Sequence, residues 1–341
     1  MSHSAHPSSA DSTDRNDTAD ACIGAGGDRY WSSYDPRSPP PLSSADGHVR
    51  VVMISDTHGN ELKDVPDGDI LLHAGDLTRL GSTEELQEQV DWLCSLPHPI
   101  KVVIAGNHDY ALDQDEKRNW YSTRGIELHT SFGYPPSKPS EAKEILRRAH
   151  NHTTAQGKPA ALHYVQDELI EVEVQRKGLR EGAKKKWSIW GSPWSPEYEG
   201  WAWNYKRGEE AKAIYTSLPS KVDFLLTHTP PHRLGRLDVL HDGRTHVGCE
   251  ELERKAVEGE CRARVWGVGH IHEARGTHLQ RWEHPPSTSQ PEPAAGEKAF
   301  DWMSTLLVNA AQVDVDMAKY AQERKLEYKV VSQPVIVDLA V

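Results

Sequence analysis

Five short apolar runs limit what this chain can fold into. They are VVMIS (Val51–Ser55), ILLHA (Ile70–Ala74), VVIA (Val102–Ala105), FLLT (Phe224–Thr227) and VWGV (Val265–Val268). Rich in β-branched residues and separated by turn signals, they read as buried strands. Between the second and third lies a helical pattern, Thr83–Leu96. Ser82 or Thr83 can cap it, and Leu86, Val90 and Leu93 fall on one face. The resulting β-x-β-α-β order predicts an α/β fold with a mostly parallel sheet and crossover connections.

The pattern extends over the rest of the chain, with gaps. Val49–Ile54, Asp69–His73, Lys101–Ala105, Trp187–Trp190, Val222–Thr227, Val265–Val268, Thr305–Asn309 and Pro334–Leu339 read as strands; Gly208–Leu218 and Val247–Val257 read as helices. Residues 1–48 are rich in Ser, Asp and Pro and are expected to be mostly a disordered tail, with Tyr30, Trp31 and Tyr34 as the exception, read as packing loosely on the domain rather than as a short docking element. Residues 110–186 read as an insertion, with a helix at Glu141–His150, strands within Ala161–Gln175 and a solvated basic hairpin tip at Arg176–Lys186. Residues 283–298, EHPPSTSQPEPAAGEK, read as a flexible loop.

Bulk properties narrow the partners. A formal net charge of −12 makes a long nucleic-acid polymer a poor ligand, while a small anion held by cations stays possible. The four cysteines are scattered, as in a protein with reduced thiols, and there is no apolar run of signal-peptide or membrane-spanning length. The expectation is a cytoplasmic protein with no membrane partner.

The strand ends carry the chemistry. After VVMIS come Asp56 and His58; after ILLHA, Gly75–Asp76; after VVIA, Gly106–Asn107–His108–Asp109; after FLLT, His228; after VWGV, Gly269–His270–Ile271–His272. Ligands bind open α/β sheets at the carboxyl ends of strands, so five such ends would gather these side chains in one crevice. Taken singly, each has a bland explanation as a turn residue or a satisfied histidine. Their shared placement does not. Carboxylate, amide oxygen and imidazole suit manganese, iron or zinc, and the lack of thiolate argues against a structural zinc site.

In this order the motifs D-x-H, G-D, G-N-H-D, a lone His and G-H-x-H resemble those of the calcineurin-like metallophosphoesterase superfamily. The segments "ISDTHG", "LLHAGDLT", "VVIAGNHD", "WGSPWSPEYEGWAWN", "LLTHTPPH", "VGCEEL", "GHIHEARG", "LLVNAA" and "QPVIVDL" are similar to the metallophosphoesterase-domain-containing proteins, a subfamily akin to class III cyclic-nucleotide phosphodiesterases. The resemblance covers most of 49–110 and 187–340. It implies a four-layer α/β/β/α sandwich, two mixed sheets flanked by helices. It also implies two divalent cations, manganese first, with iron and zinc as alternatives. Asp56, His58 and His272 would bind one cation, Asn107, His228 and His270 the other, and Asp76 would bridge them. His108 would assist the leaving group while a hydroxide held between the cations attacks phosphorus. The expected substrate is a small phosphodiester or nucleotide. Alternatives are a phosphomonoesterase or protein phosphatase, although GDLTRLG lacks the usual protein-phosphatase signature, and a catalytically weak scaffold on the same fold.

Four further residues are candidate substrate contacts. Many superfamily members have an acidic residue where this chain has Arg79, so either another group supports His108 or Arg79 grips phosphate. Trp194, Trp201 and Trp203 form an apolar set from which one ring, Trp194 in this reading, could stack on a base. His232 could line the pocket, and Asn309, at a strand end, could hydrogen-bond to a ligand.

Overall fold

Strands that are apolar on both faces must be covered on both, and the computed structural model shows how. It describes residues 21–23, 27–41, 47–114, 118–133, 137–151, 161–175, 179, 186–287, 302–315 and 328–341. Two large sheets pack face to face. The first runs in the order Ala21–Ile23, Asp28–Trp31, Val335–Ala340, His48–Ile54, Ile70–His73, Ile100–Val103, Ala161–Tyr164. Its last four strands are parallel, and Val335–Ala340 lies antiparallel to His48–Ile54. The second runs Gly276–Arg281, Ser304–Asn309, Arg262–Val268, Lys221–Thr227, Lys186–Ser192, Glu168–Glu173, with its four central strands parallel and both edges antiparallel.

The period of two along each strand divides the core. Val51, Met53, Leu72 and Val102 meet Ile189, Phe224, Leu226, Val265 and Leu306 between the sheets. Val52, Leu71 and Val103 turn outward to Leu86, Val90 and Leu93 of the helix Thr83–Ser95, while Leu225 and Trp266 face the layer that includes Leu252 of the helix Glu250–Val257. Mixed sheets flanked by helices are the architecture that the motifs implied. Ser82 caps the first helix, its hydroxyl accepting the Glu85 N–H at 3.1 Å.

Several boundaries differ from the sequence reading. The strand Asp28–Trp31 lies inside the span expected to be a tail and pairs with Val335–Ala340. Tyr30, Trp31 and Tyr34 are buried, and the Tyr34 hydroxyl donates to the Pro334 carbonyl at 2.8 Å. Aromatic residues and long-range ion pairs substitute for missing aliphatics: Asp28, fully buried, accepts from Arg264 Nε at 2.8 Å. Inside 110–186 the strands Ala161–Tyr164 and Glu168–Glu173 join one sheet each, at its edge. Most of the expected hairpin tip at 176–186, and the 283–298 loop from 288 onward, lie outside the described residues. Among the described residues no helix is long and apolar enough to cross a membrane.

Candidate metal centre

The carboxyl ends of the parallel strands in both sheets meet at one edge. Asp56 N–H donates to Gly75 O at 2.9 Å and His58 N–H to Asp76 O at 3.0 Å, lacing the first two motif loops together. Across the sheets, His270 N–H donates to both Asp56 oxygens at 3.0 and 3.1 Å. His58 Nε2 then stands 3.2 Å from His272 Nε2 and 3.6 Å from Asp76 Oδ2. His272 Nε2 is 3.1 Å from Asp56 Oδ1. On the other side of Asp76, His228 Nε2 lies 3.4 Å from the same Oδ2 and 2.9 Å from Asn107 Oδ1. The His270 ring is 5.0 Å from that of His228. All seven residues expected as ligands are thus brought together, with the Asp76 carboxylate between the two groups.

The backbone is bent to achieve this. Asp56, His58, Asp76 and His270 all have positive φ, from 44° to 66°, a conformation that non-glycine residues adopt at a cost. The motif glycines follow from the same crowding. A Cβ on Gly106 would lie 2.3 Å from Asp76 Oδ1, and one on Gly269 would lie 2.1 Å from Asp56 Oδ2. Asp109, quoted in the motif but given no role in the sequence reading, clamps the loops. Its carboxylate accepts the N–H groups of Gly106 at 2.8 Å and Thr78 at 2.9 Å and the Thr78 hydroxyl at 2.7 Å.

The donor set fits divalent cations. Oxygen and imidazole nitrogen atoms of Asp56, His58, Asp76 and His272 lie within 4.8 Å of one another; the first three residues are buried and His272 is partly exposed. So many lone pairs converge only around positive charge. Protons supply part of it in the metal-free chain. Burial would raise the Asp56 carboxyl, but the His272 hydrogen bond and neighbouring imidazoles hold it at about 2. Burial opposes a charge on His228 too, yet Asp76 carries it up to about 9. Burial and the neighbouring His228 drive His270 down to about 3, and burial with His108 drives His58 well below its usual range. The Asp56 and Asp76 carboxyls are therefore ionised, and a bound cation would displace the His228 proton.

His108 sits beside the cluster, its ring edge-on to His58 at 4.6 Å. Its N–H donates to Asp76 Oδ1 at 2.8 Å, and its Nδ1–H to the Arg79 carbonyl at 2.6 Å. The support expected from an acidic side chain thus comes from the main chain of position 79. The Arg79 guanidinium itself is turned to Glu85, Nε to Oε1 at 2.9 Å.

The other three substrate expectations change. Trp194 is buried, donates its indole N–H to Asp167 at 2.8 Å and carries the Arg118 guanidinium on one face, so little of the ring is open to a base. Trp201 stands in its place, 4.1 Å from the His108 ring. Asn309 is fully buried; its amide donates to the carbonyls of Ile271 and Leu237 at 2.8 and 3.2 Å, so it braces the His270–His272 loop and is closed to substrate. His232 faces Glu253, with Nδ1 at 3.2 Å from its carboxylate, and His246. Missed altogether was Tyr328, whose ring lies flat on His58. The alternation Leu326-Glu327-Tyr328-Lys329-Val330 is a short strand signal that could have pointed to it, but it follows a charged stretch and carries no metal-binding residue type.

A two-sheet sandwich with an Asp, Asn and His cluster across its strand ends defines a metallophosphoesterase. Residues 49–274 match the model of the calcineurin-like phosphoesterases, and the chain belongs to that family. It is 35% identical over 244 residues to human metallophosphoesterase domain-containing protein 1, covering 71% of this chain and 64% of that protein, a little under two thirds of the relative's length. It is 30% identical over 260 residues to UPF0046 protein C25E10.12 of Caenorhabditis elegans, covering 72% of this chain and 80% of the relative.

Proposed function

We propose that the chain hydrolyses small phosphodiesters, cyclic nucleotides among them, with two divalent cations. Manganese is the first choice, and iron and zinc fit the same donors. The observation that carries this reading is the Asp76 carboxylate, one oxygen of which is 3.6 Å from His58 Nε2 and 3.4 Å from His228 Nε2. Asp56, His58 and His272 would hold one ion, and Asn107, His228 and His270 the other. When bound, such a pair neutralises phosphoryl charge and furnishes a nucleophile from water near neutral pH.

The protein's own residues do the rest. With Nδ1 tied to the Arg79 carbonyl, His108 keeps Nε2 for the departing oxygen. Burial lowers the pKa of His108, so once protonated it gives up that proton readily. Trp201 and Tyr328 pack on His108 and His58 and narrow the approach, which favours small esters over a protein surface. The chain's negative charge disfavours nucleic-acid polymers. Buried free thiols at Cys94, Cys249 and Cys261 agree with a cytoplasmic setting.

The test is hydrolysis of bis-p-nitrophenyl phosphate against p-nitrophenyl phosphate by metal-stripped protein with manganese returned. His108→Ala should lose turnover and keep metal; Asp76→Asn should lose both. Faster monoester hydrolysis would replace the diester reading with a phosphomonoesterase. Bound metal without turnover on either ester would make the chain a scaffold.

A further inference from the structure

We infer that Tyr328 is a positioning residue for the metal ligand His58. A metal-binding histidine is normally held in plane by a hydrogen bond from its second ring nitrogen, which fixes the tautomer and the direction of the lone pair. His228 obeys this rule, its Nδ1–H donating to the Ala74 carbonyl at 2.9 Å. His58 does not. Its Nε2 points at Asp76 and His272, but its Nδ1 is buried with no hydrogen-bond partner among the described residues. The ring is instead gripped on a face. Tyr328 stacks on it with centroids 3.9 Å apart and planes 2° from parallel, while His108 meets it edge-on at 4.6 Å. Rotation of His58 about its Cβ–Cγ bond would tilt the ring into one aromatic neighbour or the other. Stacking substitutes here for the missing hydrogen bond.

The strand that carries Tyr328 is anchored to the site it serves. Tyr328–Val330 pairs antiparallel with Val313–Val315 in a hairpin apart from both large sheets. At the hairpin base, Gln312 N–H donates to the Ser55 carbonyl at 3.0 Å, and the Gln312 carbonyl accepts from Val331 at 2.9 Å. Ser55 is the residue before the ligand Asp56. Tyr328 is thereby registered to the strand end that bears Asp56 and His58, although it is remote from them in sequence.

This assignment rests on the proposed metal centre, and the experiment separates the two. Metal-stripped wild type, Tyr328→Phe and Tyr328→Leu are titrated with Mn2+ against a chromophoric chelator, with metal-free melting as the check on folding. Wild type should take up two ions. Tyr328→Leu should weaken one of them about tenfold, the lower end for loss of a ligand's supporting group, and Tyr328→Phe should stay close to wild type because the ring, not the hydroxyl, does the holding. Tyr328→Gln, equally suited to a partly exposed strand position, replaces the leucine variant if that one does not fold. Wild-type binding of both ions by Tyr328→Leu would overturn the inference, as would equal losses in the phenylalanine and leucine variants. A wild type that binds no Mn2+ would remove the metal centre itself.

Discussion

Gly269→Ala isolates the crowding on which the site is built. Gly269 has no positive φ to forbid a side chain, so the effect of the methyl is steric alone. That methyl would sit 2.1 Å from Asp56 Oδ2 and 2.1 Å from Ser55 Oγ, where 3.4 Å is the near limit of ordinary contact. One side must move by more than an ångström. Asp56 is pinned by His270 N–H at 3.0 Å and His272 Nε2 at 3.1 Å, so moving it spoils both, and moving Gly269 drags the two histidines instead. Overpacking of this kind costs about 1–3 kcal/mol, a drop of a few degrees in melting temperature for a chain of this size. The effect on function should be larger, because a misplacement of about 1 Å costs on the order of 10²-fold in rate. The assay is metal content after reconstitution, diesterase turnover and the melting point of metal-free protein. Gly276→Ala is the control, since its methyl would meet nothing closer than Leu237 Cδ2 at 3.7 Å. Two tightly bound ions and undiminished turnover in Gly269→Ala would refute the packing account of the motif.

Two further predictions concern stability. Asp338 and Arg50 form a buried two-point pair, Nε–Oδ1 and Nη2–Oδ2 both at 2.7 Å, so Asp338→Ala should cost about 3–5 kcal/mol in urea unfolding. The Pro40 and Pro41 carbonyls, which also accept from Arg50, favour the lower end, and a loss under about 1 kcal/mol would contradict the pair's role. His98 is fully buried, and desolvation with the nearby Lys101 charge drives its imidazole from 6.5 down to about 4. A base depressed in the folded state contributes stability that is present above 6.5 and lost as pH falls through about 4. The gap is worth about 3 kcal/mol. His98→Leu should flatten the fall in stability between those pH values, and parallel pH profiles for the two proteins would show that His98 does not titrate as described.

The cluster proposed as the ligand set was legible because its signal is local. An apolar strand followed by Asp, Asn or His states both the element and the residue at its end, and five repetitions leave few ways to arrange them. Helix Thr83–Ser95 and the parallel strands were readable for the same reason, since capping and periodicity act within a few residues. What supports the ligands was not. The carbonyl of Arg79 under His108 depends on how a loop turns, and every residue offers a carbonyl. Trp201 and Trp194 are the same residue type a few positions apart, and only the packing of Asp167 and Arg118 on Trp194 leaves Trp201 at the site. The strand Asp28–Trp31 forms against Val335–Ala340 at the other end of the chain, and Tyr328 reaches His58 through a hairpin rooted on Ser55. The sequence by itself determined which oxygen and nitrogen donors reach the strand ends. Only the tertiary structure decided what holds those atoms in place, because contacts between distant segments depend on shape and register that no local pattern encodes.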